Sequence, residues 1–178
     1  MAEAATAFDC LRSLAGRAVA SSAGLPREQG VVETWQGVVY RVGEQLLVSP
    51  LDEVSAIVPV PRIVPLPGVV PSLLGLCNLR GELVGVHDLG LVLFGRPTSV
   101  DRRSVMLVVR RAEDAAALLV DRSIGIRRFP ADDRAQSPAD LPHVDHAVTF
   151  EAEPVQVISL TALVDSPAFN AVVAARGA

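Results

Sequence analysis

One arginine, Arg80, interrupts a long hydrophobic stretch of the sequence. Residues 63–79 contain no charged side chain, and Arg80 follows them within the segment Asn78-Leu79-Arg80-Gly81. Asparagine and glycine tolerate the positive φ of a tight turn, so this segment predicts a turn that presents the arginine. A guanidinium forms bidentate hydrogen bonds with carboxylates and is favoured at protein interfaces. The residues alone leave two roles open for Arg80: an ion pair inside the protein, or a contact with a partner.

Two histidine-containing segments carry the other candidates for chemistry. His87-Asp88 lies where a predicted strand meets a helix, but no serine or cysteine stands in a nucleophile elbow. Residues 143–146 (His-Val-Asp-His) offer three potential zinc or nickel ligands, without the cysteine partners or second histidine pair of common sites. An enzyme or small-ligand or metal-binding barrel that uses these residues is the alternative hypothesis. A helix cap at Asp88 and a solvated loop are the simpler expectations, and with no phosphate loop we expect no catalytic site, metal or cofactor.

Composition limits the class of protein. The chain has 178 residues, a formal net charge of −4 and 4% aromatic residues, whereas a nucleic-acid-binding protein needs a basic face and usually stacking aromatics. The N-terminus lacks the basic start and continuous apolar block of a signal peptide. Prolines and glycines break the uncharged run into turns, so it predicts no membrane span. We expect a cytoplasmic protein with an aliphatic core and with Cys10 and Cys77 as reduced thiols.

Short strands separated by glycine- and proline-containing turns make up most of the predicted structure. Apolar and β-branched runs predict strands at residues 34–42, 45–48, 53–58, 76–79, 82–87, 104–110, 115–120, 123–128, 148–151 and 155–160. Tight turns are expected at residues 43–44 and 153–154, and Asp88 should cap a short helix that ends at Gly95. This pattern is typical of an all-β barrel or sandwich, or of two small barrels in tandem.

Three further segments are expected to be helical. Apolar side chains at positions 8, 11, 15, 18 and 19 share one face of an N-terminal helix that residues 21–26 end. That helix could pack on its own domain or dock a partner. Residues 71–74 suffice for one helical turn, and residues 161–175 predict a closing helix interrupted by Pro167.

Residues 66–95 combine motifs that closely resemble the signature of CheW-like domains, the coupling modules of bacterial chemosensory systems. The motifs are, in order, Leu66-Pro67, Gly75, Asn78-Leu79-Arg80-Gly81, the apolar residues 83–86 and Asp88-Leu89. Residues 117–126 resemble the second block of the family, with Asp121 and Gly125 in place, and the whole resemblance covers residues 35–164. The N-terminal helix and the entry strand are more similar to the twitching-motility variant of the family than to the flagellar coupling protein.

The resemblance implies a fold and a function. The fold would be two intertwined five-stranded, SH3-like β-barrels in residues 33–178, behind an N-terminal helical extension of residues 1–32. The function would be that of a non-enzymatic adaptor without a cofactor. Such proteins dock on the regulatory domain of a CheA-type histidine kinase and on the cytoplasmic hairpin tip of a methyl-accepting chemoreceptor, in membrane-associated receptor arrays. We therefore expect a coupling protein that controls type IV pilus twitching motility, with the flagellar chemotaxis pathway as the alternative.

The resemblance also implies a receptor-binding groove between the subdomains. Arg80 matches the arginine that lies at this groove in the family, with Asn78 and Gly81 shaping its turn. Val54 matches an apolar, receptor-contacting position on a strand that lines the same groove. The chain departs from the family pattern at Ala56, where many members have an acidic residue. It also departs at position 117, where alanine replaces a glycine that is usual before the second block.

Overall fold

Ten β-strands and three short helices make up the described part of the chain, residues 33–111, 114–136 and 141–170 of a computed structural model. The strands are β1 (Thr34–Val42), β2 (Gln45–Pro50), β3 (Ala56–Pro59), β4 (Leu73–Leu79), β5 (Glu82–Asp88), β6 (Val105–Arg110), β7 (Ala115–Val120), β8 (Arg122–Pro130), β9 (Val144–Phe150) and β10 (Glu153–Ile158). The helices are α1 (Leu89–Phe94), α2 (Leu160–Asp165) and α3 (Pro167–Asn170), and a turn of 3-10 helix spans Leu51–Glu53. The predicted all-β class with small helices is confirmed.

Some sequence predictions fall on parts of the chain that are not described. The predicted N-terminal helix, and with it residues 1–32 and Cys10, lies outside the described residues, as does the end of the predicted closing helix. Within the described ranges, no helix has the length and apolar character needed to cross a membrane.

The ten strands form two five-stranded sheets. The first sheet has the order β8-β1-β2-β10-β9, and the second has the order β3-β6-β7-β5-β4. Neighbouring strands are antiparallel except for β2 with β10 and β5 with β7, which are parallel. The second sheet uses consecutive strands of the chain, whereas the first joins β1 and β2 to the last three strands. The two sheets are therefore interleaved along the sequence, and the simpler tandem arrangement is wrong.

Buried apolar side chains form three clusters, because successive residues of a strand point to opposite faces of its sheet. The first cluster contains residues of both sheets and of the C-terminal helices, including Val38, Tyr40, Leu47, Leu107, Leu118, Leu160 and Phe169. The second lies on the other face of the second sheet and includes Cys77, Val84, Met106, Val108 and Leu119. The third lies on the other face of the first sheet and includes Val39, Val48, Phe129, Val148 and Val157. Strand β7 is covered on both faces, by the first and the second cluster, so all six of its residues are buried and apolar.

Local capping signals in the sequence are confirmed. The Asp88 carboxylate accepts hydrogen bonds from the backbone N–H groups of Gly90 (2.9 Å) and Leu91 (3.2 Å) at the start of α1. The helix ends, as predicted, at Gly95, which has φ 64°. The predicted turn after β1 is also present, with Gly43 at φ 60°. These features need only neighbouring residues, which is why the sequence alone identifies them.

Two predicted elements differ because distant contacts override the local pattern. The predicted strand at residues 53–58 is shortened to β3, and the Glu53 carboxylate accepts hydrogen bonds from Ser159 Oγ (2.9 Å) and the Thr161 N–H (3.1 Å) at the start of α2. Residues 71–74 do not form a helical turn, since β4 already begins at Leu73, which pairs with His87 of β5. Both differences come from residues far away along the chain.

The last hairpin turns earlier than the sequence pattern predicted. Glu151 and Ala152 have φ 51° and 67° and join β9 to β10, so the predicted turn at residues 153–154 is wrong. Pro154 instead lies within β10, opposite Thr149 of β9. Proline is tolerated there because the pairing of β10 with β2 begins only at Gln156, so no backbone donor is lost from that ladder.

Candidate functional site

Arg80 occupies the tip of the β4–β5 hairpin. Arg80 and Gly81 form a two-residue turn with φ 56° and 93°, and Leu79 pairs with Glu82 on either side of it. Asn78 Oδ1 accepts a hydrogen bond from the Gly81 N–H at 2.9 Å. The predicted turn is present, but Arg80 itself adopts the positive φ, while Asn78 lies in β4 and closes the turn with its side chain. Positive φ at both central residues matches the twist of a hairpin, which offsets the strain at a non-glycine residue.

Beside this turn lies a cavity of about 230 Å³, which we call the Arg80 groove. Its lining residues all belong to the strands of the second sheet or to the residues that adjoin them: Ser55, Ala56, Val58, Leu79, Arg80, Glu82, Val84, Val108, Arg110 and Ala115. The floor is aliphatic, and Ala56 leaves its wall uncharged. Small-molecule sites usually occupy about 300–1,000 Å³. The Arg80 groove is therefore smaller than a typical small-molecule site.

Three charged side chains stand on the rim of the Arg80 groove. Arg110 Nη2 donates to Glu82 Oε2 at 3.4 Å, and both side chains are well exposed, at 65% and 41%. Arg80 is exposed and makes no side-chain hydrogen bond or ion pair with the described residues. The intramolecular ion pair left open by the sequence therefore has no partner within the described ranges, which favours the contact with another protein. The sequence did not predict the contact between Glu82 and Arg110, because only the pairing of β5 and β6 with β7 brings them together.

Val54 lies apart from the Arg80 groove. It follows the 3-10 turn instead of lying on a strand, and its side chain is only 8% exposed within the first cluster. The next residue, Ser55, does line the groove, and its N–H and Oγ both donate to the Val108 carbonyl, at 2.8 and 2.9 Å. The strand position predicted for Val54 is wrong, and its contact with a receptor stays a prediction.

The two aspartates of the family motifs hold loops. Beyond its capping bonds, Asp88 accepts hydrogen bonds from the Thr98 N–H (2.9 and 3.2 Å) and Thr98 Oγ1 (2.6 Å), and it is 2% exposed. Asp121 accepts hydrogen bonds from the Gly43 N–H (2.5 Å) and the Ser99 N–H (3.2 Å). Both carboxylates are occupied by donors of their own chain, so the structure accounts for Asp88 as a helix cap and loop anchor.

His87 is a buried core residue. Its side chain is 7% exposed, and its ring stacks on that of Phe169 with the centroids 4.0 Å apart. Burial, helped by the nearby positive charge of Arg111, lowers the pKa of His87 to about 4. The imidazole is therefore neutral at neutral pH and packed against another ring, so the enzyme hypothesis gains no support from it.

The histidines of residues 143–146 do not gather as metal ligands. Within the described residues, no three His, Cys, Asp or Glu side chains are placed to hold a metal ion. His146 lies on β9, its ring edge faces Trp35 with the centroids 6.1 Å apart, and burial lowers its pKa. His146 and Trp35 also border a cavity of about 660 Å³ at one end of the first sheet. No local sequence pattern predicts this cavity, because its walls come from distant parts of the chain, such as Leu51 and Arg134.

Comparison with known proteins agrees with the motifs and the fold. The family model of the CheW-like domain matches residues 36–168. The protein PilI of Pseudomonas aeruginosa is 31% identical over 173 residues, which cover 95% of this chain and 97% of PilI. The crystal structure of the scaffolding protein TtCheW from Thermoanaerobacter tengcongensis superposes with a TM-score of 0.67 at 19% identity, covering 82% of this chain and 96% of that one. The chain belongs to the CheW-like domain family.

Proposed function

We propose that the protein is a non-enzymatic adaptor that couples a methyl-accepting chemoreceptor to a CheA-type histidine kinase. It would act in the cytoplasm at membrane-associated receptor arrays, in a pathway that controls type IV pilus motility. Membership of the CheW-like family supports the adaptor role, and so does the likeness in fold to a scaffolding protein. The likeness to PilI over nearly the whole chain supports the pilus pathway.

The observation that carries this proposal is the position of Arg80. Its exposed guanidinium has no described partner and stands on the rim of an aliphatic groove, at the arginine of the family motif. A receptor hairpin tip would insert an apolar side chain into the Arg80 groove and set a carboxylate against the guanidinium. A hydrogen bond to a charged group contributes about 1.5–3 kcal/mol, which corresponds to about 10- to 150-fold in affinity.

Other residues of the site would act by shaping the groove. Asn78 and Gly81 fix the turn, so they orient Arg80 before binding. Val54, buried in the first cluster, would hold the backbone of the adjoining Ser55 in place, so its contribution to receptor binding would be indirect. The kinase regulatory domain would dock on a different surface, since an adaptor must hold both partners at once.

The test is the binding of the receptor cytoplasmic fragment to Arg80→Ala and Arg80→Asn variants. Both should lose at least about 10-fold in affinity, with a change in unfolding free energy of less than about 1 kcal/mol. Asparagine tolerates positive φ, so Arg80→Asn separates the loss of charge from strain in the turn. Arg102→Ala is the matched control, because Arg102 is exposed and makes no side-chain hydrogen bond with the described residues. Unchanged receptor affinity in both Arg80 variants would contradict the proposed role.

The choice between pilus and flagellar pathways has its own test. Receptor fragments from a pilus chemosensory system and from a flagellar system of the same organism are compared for binding to the wild-type chain. Stronger binding of the pilus receptor, lost in Arg80→Asn, supports the proposal. Preferential binding of the flagellar receptor would assign the chain to the alternative pathway.

A further inference from the structure

Two arginines face the same side of the first sheet at directly opposed positions. Arg41 of β1 pairs with Arg122 of β8 in the antiparallel register. Directly opposed residues of an antiparallel pair have their Cβ atoms about 5 Å apart on one face of the sheet. That face also carries Val39 and Ile124, which belong to or pack on the third cluster. The two arginine side chains therefore leave the sheet side by side, at the edge of the third cluster.

The described chain does not neutralise this pair. Arg41 Nη1 donates to the Glu44 carbonyl oxygen at 3.1 Å, but the Nε atoms of Arg41 and Arg122 are both buried without a hydrogen-bond partner. No described carboxylate forms an ion pair with either residue. Asp121, the neighbour of Arg122, is occupied by the backbone N–H groups of Gly43 and Ser99.

Such an arrangement is costly in isolation. Like charges directly opposite each other on a sheet repel, and a buried donor without an acceptor loses its hydration without compensation. An anion bound between the two side chains would offset the repulsion and supply an acceptor to their guanidinium groups. An oxyanion fits this role best, because each planar guanidinium presents parallel N–H groups that match the oxygens of a carboxylate or phosphate.

We infer that Arg41 and Arg122 form a binding site for an oxyanion of the carboxylate or phosphate type, separate from the Arg80 groove. The site lies at the end of the β1–β8 pair where the chain turns into β2, whereas Arg80 belongs to the second sheet. The inference does not depend on the proposed receptor contact. A free phosphate and an acidic side chain of a partner protein share the chemistry that this site recognises.

The test measures thermal unfolding of the full chain with two probes, inorganic phosphate and N-acetyl-aspartate amide, at constant ionic strength set with chloride. Near ten times the dissociation constant, a bound probe should raise the wild-type midpoint by about 3 °C over chloride alone. Arg41→Gln and Arg122→Gln should abolish this rise, and without a probe their midpoints should equal or exceed that of the wild type. Arg128→Gln is the matched control, because Arg128 is an exposed arginine on the same strand with no described side-chain bond.

The two probes also distinguish the sources of the oxyanion. A rise with phosphate alone assigns the site to a phosphate group, and a rise with the aspartate probe assigns it to a carboxylate. The Nε–H resonances of Arg41 and Arg122 provide a direct readout in the wild-type chain, since both should shift during titration, even if a glutamine variant fails to fold. The inference is overturned if neither probe acts beyond chloride, or if its effect survives in both glutamine variants. A large destabilisation of Arg41→Gln with no probe response would show instead that a carboxylate outside the described residues holds the pair.

Discussion

Replacement of Asp88 by alanine should destabilise the protein strongly, because it removes an acceptor shared by four donor groups. These donors are the N–H groups of Gly90, Leu91 and Thr98 and the hydroxyl of Thr98. A hydrogen bond to a charged group contributes about 1.5–3 kcal/mol, and loss of a helix N-cap costs about 1 kcal/mol. The bonds share one carboxylate and do not add in full, so we expect a loss of about 4 kcal/mol in the free energy of unfolding. That is a large part of the 5–15 kcal/mol, roughly, that stabilises a typical domain.

Urea unfolding followed by circular dichroism measures this loss. Asp88→Asn should lose less, about 2 kcal/mol, since it keeps the shape and one acceptor oxygen but turns an amide donor toward other donors. Asp52→Ala is the control, because Asp52 is exposed and accepts no described hydrogen bond, and its change should stay within about 0.5 kcal/mol. A loss below about 1 kcal/mol in Asp88→Ala, with an unchanged denaturant slope, would refute the structural role given to this carboxylate.

Three further predictions concern the pH dependence, a glycine and a surface ion pair. The pKa of His87 is about 4 in the folded chain against 6.5 in the unfolded one, so stability should fall by up to about 3 kcal/mol as the pH drops from 6.5 to 4. His87→Phe should remove this fall in pH-dependent urea midpoints, and an unchanged fall would assign it to other groups. Gly75→Ala should lower the free energy of unfolding by more than about 2 kcal/mol, because Gly75 has φ 144° and an added Cβ would lie 2.1 Å from the Val64 carbonyl oxygen. Gly85→Ala is the control, because its added Cβ would have no contact closer than 3.6 Å. Equal urea midpoints for the two variants would contradict the steric argument. Glu82→Gln should lower the free energy of unfolding by less than about 1 kcal/mol, because its ion pair with Arg110 is exposed. Salt screens such a pair, so a loss that is larger at high salt than at low salt would refute this.

Features encoded by neighbouring residues could be predicted from the sequence. The hairpin turn after β1, the strands on either side of Arg80 and the cap at Asp88 all follow from turn residues and apolar runs. The family motifs added the expectation that Arg80 contacts another protein. The all-β class also followed, because short apolar runs between glycines and prolines are typical of it.

Features that depend on distant residues could not be predicted. The parallel pairing of β5 with β7 cannot be read from neighbouring residues, so the lining of the Arg80 groove and its Glu82–Arg110 ion pair were missed, although the family motifs implied a groove at Arg80. The position of Val54 was wrong for a similar reason, because the 3-10 turn before it is held by Glu53 through its bonds to the start of α2. The positive φ of Arg80 was not predicted, because arginine disfavours that conformation and only the hairpin geometry requires it.

The interleaved order of the strands has a consequence for synthesis of the chain. Strands β3 to β7 are consecutive, so the second sheet can pair as soon as β7 has left the ribosome. Strand β2 must wait for β10, because Leu47 and Val48 pair with Gln156 and Val157 near the end of the described chain. Long-range pairing of this kind slows folding and leaves strand edges exposed meanwhile. The β1–β2 hairpin is therefore the segment that a nascent-chain chaperone would be expected to protect, until release of the C-terminal strands completes the first sheet.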